Sequence, residues 1–108
     1  MFGKMPADAL TDTIKRLEAN RAMLRREGIV GVSIFGSVAR GDAREDSDVD
    51  LLIEPVPALS VSGIKLVQWK KLMSELLGRE ADVVVAEFLD DKVRETIERD
   101  LVVVIERN

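Results

Sequence analysis

Two hydrophobic periods alternate along this chain, and the points where one gives way to the other mark its elements. From about Leu10 to Glu27, the apolar residues Leu10, Ile14, Leu17 and Leu24 recur at helical spacing, with Gly28 as a C′ stop. Gly31-Val32-Ser33-Ile34-Phe35 is a short apolar run of the kind a buried strand carries. The run stops at Gly36-Ser37, where a second helix or only a short turn follows Ser37, and the chain stays polar for about ten residues. Val49-Asp50-Leu51-Leu52-Ile53 then forms a second strand. It is closed by Glu54-Pro55-Val56-Pro57, because prolines cannot continue a central strand. Ser60 or Ser62 caps a helix reaching about Leu77, with Ile64, Val67, Leu72 and Leu76 among its apolar positions and Gly78 at its end. Ala81 to Val85 is a third strand, about Leu89 to Arg99 a further helix, and Leu101 to Ile105 a β-branched fourth strand.

Helices alternating with apolar strands predict an α/β or α+β layer fold over a largely buried sheet. At 108 residues the chain makes one domain, 1–108, with a single modest core. Neither repeats nor linkers interrupt it, and loop lengths alone do not fix the strand order. Lys15, Arg16, Arg21, Arg25 and Arg26 make the first helix basic, which reads first as a solvated face.

Composition narrows the chemistry. With no histidine, a histidine general base, a Ser-His-Asp triad and histidine-ligated zinc or iron are excluded. Without cysteine there are no disulfides and no thiolate metal sites. Any metal must be held by oxygen ligands, which leaves Mg²⁺, Mn²⁺ or Ca²⁺. A net charge of −4 argues against stable nucleic-acid binding. No apolar run approaches a membrane span, and Met1-Phe2-Gly3-Lys4 is unlike a signal peptide, so a cytoplasmic location is expected.

The second strand poses a problem that this composition sharpens. Residues i and i+2 of a strand share a face, so Asp48 and Asp50 project together with Cβ atoms roughly 6–7 Å apart. Two carboxylates that close repel each other, and partial burial raises the pKa of at least one unless a cation intervenes. A divalent metal, or two of them about 3.5–4 Å apart, resolves the conflict, and Mg²⁺ suits the available ligands. The Gly36-Ser37 corner lets the backbone turn sharply and present amides outward to an anion, with Arg40 about one helical turn on as a phosphate contact. Asp82 opens another apolar strand, where it could complete the metal site or take a proton from an attacking hydroxyl. Ser47 reads, on its own, as a cap or turn hydrogen-bonder, since no base partner is in sight. A phosphate corner facing a carboxylate pair is the minimum equipment for chemistry on a nucleoside triphosphate.

Gly36-Ser37, ten intervening residues and Asp48-Val49-Asp50 resemble the signature of the nucleotidyltransferase superfamily with the DNA polymerase β-like palm. The fuller string Gly-Ser-x-x-Arg-Gly followed by Ser-Asp-x-Asp-Leu is similar to its smallest branch, the stand-alone minimal nucleotidyltransferases (MNT, MntA-like) of bacteria and archaea. The match is tight from about Gly31 to Glu54 and extends loosely to Asp82. It implies a palm with a mixed four-stranded sheet and helices packed against it. It also implies that Gly36, Ser37, Arg40 and Ser47 contact the nucleotide, and that Asp48, Asp50 and Asp82 are catalytic and hold Mg²⁺, two ions in all. ATP would be the co-substrate, with AMP passed to a hydroxyl and pyrophosphate released.

Relatives of this size imply, further, an antitoxin of a type VII-like toxin–antitoxin pair, whose partner is a HEPN-domain ribonuclease adenylylated on tyrosine within a hetero-oligomer. Larger relatives carry added domains for their acceptors, so a macromolecular acceptor is expected for this chain. Two other readings stand beside that one. The protein could neutralise its partner by masking, using the basic first helix and Trp69, Met73 or Leu77, although a lone tryptophan in an apolar helix is usually a core anchor. Alternatively, the same chemistry could act on a small-molecule acceptor.

Overall fold

The computed structural model describes residues 6–107. Met1-Phe2-Gly3-Lys4, read above against a signal peptide, lies outside them. The chain forms α1 (Pro6–Ala19), α2 (Arg21–Arg26), β1 (Ile29–Phe35), α3 (Gly36–Arg40), β2 (Val49–Pro55), α4 (Gly63–Leu77), β3 (Ala81–Val85), α5 (Asp91–Glu98) and β4 (Val102–Ile105). The sheet order is β3-β2-β1-β4, with β2 parallel to β3 and β1 antiparallel to both β2 and β4. The mixed four-stranded sheet is therefore present, with α4 as the crossover that parallel neighbours require.

Local chemistry explains most boundaries. Ser62 caps α4 by accepting from the Lys65 amide, Gly78 ends it in the left-handed region, and Asp90 caps α5 by accepting from the Val93 amide. Several boundaries differ from the sequence reading: α1 starts at Pro6 instead of about Leu10, β1 starts at Ile29 instead of Gly31, α5 ends at Glu98, and four further differences have local causes. The predicted helix over Leu10–Glu27 is two helices, because the Asn20 side chain donates back to the Arg16 carbonyl at 2.7 Å and its amide bonds one residue short, to Leu17. β2 runs on through Glu54 and Pro55, which pair with Gly31 and Ile29 across a bulge. By then β3 has ended its pairing at Ile53, so the missing proline N–H leaves no ladder bond unmade. A 3₁₀ turn, Ala86–Phe88, precedes α5 and moves its start from Leu89 to Asp91. β4 begins one residue late, at Val102.

The pleat sorts the residues of β2. Val49, Leu51 and Ile53 are buried against the helical layer, while Asp50, Leu52 and Glu54 turn to the opposite face. Leu17, Leu24, Trp69 and Met73 from α1, α2 and α4 complete the core. Trp69 is fully buried and donates from Nε1 to the Glu27 carbonyl at 3.1 Å. An aromatic of that size removes some 150–250 Å² from water, roughly 4–6 kcal/mol of transfer free energy before entropy is counted. Met73 and Leu77 are buried as well, so none of the three offers a contact surface. The five basic residues of α1 and α2 are exposed, as a solvated face requires.

Candidate active site

The site forms where β1 ends. Gly36 follows Phe35 and turns the chain at φ +76° into α3, a region that side chains other than glycine's rarely enter. Space excludes a side chain here too: a Cβ on Gly36 would lie 2.2 Å from Asp50 Oδ2. The corner and the carboxylate are therefore in van der Waals contact. Asp50 is paired in register with Phe35 on one side and with Asp82 on the other. Three neighbouring strands thus carry Gly36, Asp50 and Asp82 to one end of the sheet.

Electrostatics follow from that register. Burial pushes the Asp50 carboxyl above the usual carboxylate range, the charges of Asp82 and Asp48 push it further, and Arg40 opposes them weakly. Asp48 stands just before β2, exposed, and Asp50 is half-buried at the strand's second position. Asp48 and Asp82 are thus both close enough to Asp50 to oppose its ionisation.

Their side chains do not converge as placed. Among the described residues no group of three carboxylates is disposed to hold a metal ion. One of the three, Asp82, is held by Lys70 from α4. Its ammonium donates to Asp82 Oδ1 at 3.0 Å and to the Ala81 carbonyl at 2.9 Å, and lies 3.5 Å from Glu80. These neighbours hold the Lys70 ammonium above its ordinary pKa, the Asp82 hydrogen bond foremost. A protein cation thus already neutralises Asp82. The donor set still fits a hard divalent cation in kind, since every candidate ligand is a carboxylate oxygen and no ion pair engages Asp50 among the described residues.

Arg40 and Ser47 are engaged elsewhere. Arg40 donates from Nε to Asp42 at 3.2 Å and from Nη1 to Asp100 at 3.0 Å, which raises its pKa beyond its already high value. It points along α3 toward the segment before β4 instead of presenting a free fork. The Ser47 hydroxyl accepts from the Arg44 amide at 2.8 Å, and the Ser47 amide returns to the Arg44 carbonyl. That is the turn role its own chemistry suggested.

Beside the acids lies a groove of about 520 Å³, whose polar end carries Asp50, Asp82 and Lys70. Leu66 and Val67 of α4 and Leu89 and Val93 from the α5 side make its walls. Sequence reasoning found neither the groove nor Lys70. The spacing of α4 does not separate Lys70 from Lys65 or Lys71, and the apolar residues of α4 and α5 look like ordinary core positions.

A family model described as a nucleotidyltransferase domain matches residues 17–105. The chain belongs to the nucleotidyltransferase domain family. Among curated relatives, this nucleotidyltransferase is 36% identical over 91 residues to the protein adenylyltransferase MntA of Thermococcus cleftensis, covering 82% of this chain and 88% of the relative. A solved structure assigned as a minimal nucleotidyltransferase superposes with a TM-score of 0.65 at 35% identity, covering 82% of this chain and 93% of the other. The MNT antitoxin in complex with a tri-AMPylated HEPN toxin of Shewanella oneidensis superposes with a TM-score of 0.56 at 12% identity, a likeness of fold, over 81% of this chain and 70% of that one. The polymerase β-like palm expected from the motif is thus the fold of this nucleotidyltransferase.

Proposed function

We propose that this nucleotidyltransferase transfers AMP from ATP to a tyrosine hydroxyl of a HEPN-type ribonuclease toxin, and so acts as the antitoxin of a type VII-like pair. The observation that carries the reading is the register of Asp50 between the Gly36 corner and Asp82, which brings these three residues to one end of the sheet. Likeness to a protein adenylyltransferase supports the choice of AMP, and the fold shared with an MNT antitoxin supports the choice of partner.

In this mechanism the backbone at Gly36-Ser37 holds the leaving phosphates, with Arg40 assisting once it exchanges a carboxylate partner for phosphate. Asp48, Asp50 and Asp82 would hold Mg²⁺, two ions in all, which when bound neutralises charge developing on the phosphates. The acceptor oxygen bonds to the α-phosphorus as the bond from that phosphorus to the departing pyrophosphate breaks. On this reading Asp82 would either take the hydroxyl proton or serve as a cation ligand. Position and charge supply most of the acceleration. Ser47 supports the loop that delivers Asp48. No helix among the described residues is long and apolar enough to cross a membrane, and we place the activity in the cytoplasm.

The test is incubation of the partner toxin with the protein, Mg²⁺ and ATP, followed by intact mass. One or more added AMP groups are expected, and none with Asp48→Ala/Asp50→Ala. An unmodified toxin under these conditions overturns the reading. If Asp50→Asn keeps the complex but loses protection of cells, neutralisation by masking is rejected.

A further inference from the structure

We propose that Lys70 is a positioning residue: it holds Asp82 in reserve and releases it to a divalent cation by moving its ammonium to Glu80. The inference rests on the proposed cation site of Asp48, Asp50 and Asp82, and adds what governs entry to that site.

Three successive residues at the start of β3 border one ammonium. Lys70 Nζ donates to Asp82 Oδ1 at 3.0 Å and to the Ala81 carbonyl at 2.9 Å, and it stands 3.5 Å from Glu80 Oε2. The backbone around it is anchored on both sides. The Val49 amide donates to the Glu80 carbonyl at 2.9 Å, and the Ala81 amide donates to Ser74 Oγ at 3.0 Å. Ser74 lies one turn after Lys70 on α4, so helix and strand are tied together beside the ammonium. An exchange of partners here therefore needs only side chains to move. Glu80 and Asp82 are two positions apart, the spacing at which residues along a strand share a face, and both carboxylates are within reach of Lys70.

A divalent cation on Asp82 repels an ammonium at hydrogen-bond distance from the same carboxylate, so the two compete for it. Glu80 gives the displaced ammonium a place to go. A move to Glu80 keeps one ion pair and the Ala81 carbonyl bond, and only the Asp82 contact is given up. Exposure permits the move: the side chains of Lys70, Glu80 and Asp82 are 44%, 69% and 51% exposed, so packing locks none of them. Pairs this exposed are weak, and the exchange tunes cation affinity severalfold instead of forbidding binding. Glu80 is in this way a relay partner for Lys70 and not a ligand of the cation.

The experiment measures Mn²⁺ binding by electron paramagnetic resonance in four nucleotide-free proteins: the parent chain, Lys70→Met, Glu80→Gln and the double variant. Lys70→Met should bind Mn²⁺ about twofold to fivefold more tightly than the parent, the range of a half-exposed ion pair. Glu80→Gln should bind it about twofold more weakly, because Lys70 then has no second carboxylate to take. Removing any positive charge tightens binding and removing any negative charge weakens it, so the double variant carries the test. There, with no ammonium left to receive, the Glu80 substitution should have no measurable effect. If Glu80→Gln weakens binding equally with and without Lys70, Glu80 acts only as a nearby charge and the inference is overturned. An unchanged affinity in Lys70→Met overturns it too. As a second readout, the Glu80 carboxylate signal in carbon NMR should shift on adding Mg²⁺ to the parent and stay still in Lys70→Met; equal shifts in both would also overturn the exchange. If none of the four proteins binds Mn²⁺, the proposed cation site falls and this inference with it, whereas binding without the expected pattern removes the inference alone.

Discussion

Gly36→Ala separates two effects that glycine combines at this corner. At φ +76° an alanine carries a backbone penalty of about 1–2 kcal/mol. Its Cβ would also stand 2.2 Å from Asp50 Oδ2 and 3.2 Å from Asp50 Cγ. Ordinary contact between heavy atoms begins near 3.5 Å, so the carboxylate must retreat by about 1 Å. A displacement of that size at a reacting centre costs on the order of 10²-fold in rate. Gly78→Ala is the matched control: φ is +69°, nothing lies within 4 Å of its Cβ, and it sits at the far end of α4. Both variants should therefore lose comparable stability, visible as a fall in melting temperature of about 4–8 °C per kcal/mol. Only Gly36→Ala should lose about two orders of magnitude in AMP transfer, measured as pyrophosphate release at saturating ATP. Equal activities in the two variants would refute the argument that the corner positions Asp50.

Other outcomes test neighbouring features. Asp50 has a raised pKa, so between the ordinary carboxylate value and the raised one the folded chain keeps a proton that the unfolded chain has released. Its contribution to stability therefore falls as pH rises through that window, and Asp50→Asn should denature at higher urea than the parent at pH 7, with the gain vanishing below about pH 4. Trp69→Ala removes a fully buried anchor and should cost about 3–5 kcal/mol by urea denaturation followed by circular dichroism. Ser47→Ala loses the 2.8 Å bond from Arg44 and should cost about 1 kcal/mol, leaving ATP affinity unchanged if the hydroxyl only supports its turn. Lys70→Met breaks a half-exposed ion pair, so its stability should change by less than about 1 kcal/mol. Mn²⁺ affinity of the nucleotide-free variant should instead rise as Asp82 is released; an unchanged affinity, read by electron paramagnetic resonance, would show that Lys70 does not compete for the acid.

Periodicity and spacing disclosed what depends on near neighbours in the chain. β3 spans the predicted Ala81–Val85, and the corner at Gly36 and the acids at the start of β2 were legible because motif residues lie within fifteen positions of one another. What stayed hidden depends on partners distant in sequence. The place of β4 beside β1 follows from antiparallel pairing of Ile34 with Val102, which no local pattern encodes. Arg40 looked free to bind phosphate because one of its two carboxylate partners, Asp100, is sixty residues away. Lys70 looked like any surface lysine until the crossover brought Asp82 to it. Likewise Val67 and Val93 resembled core residues, and only the open edge of the sheet leaves them in water.

The pairing of β1 with β4 sets an order on synthesis. The ribosome delivers Gly36 to Asp50 some fifty residues before Val102, yet β1 keeps one bare edge until β4 emerges, and Arg40 lacks its Asp100 anchor almost as long. Nascent chains halted before β4 should therefore carry every motif residue and still be inert. The enzyme becomes competent only once β4 has emerged to cover that edge.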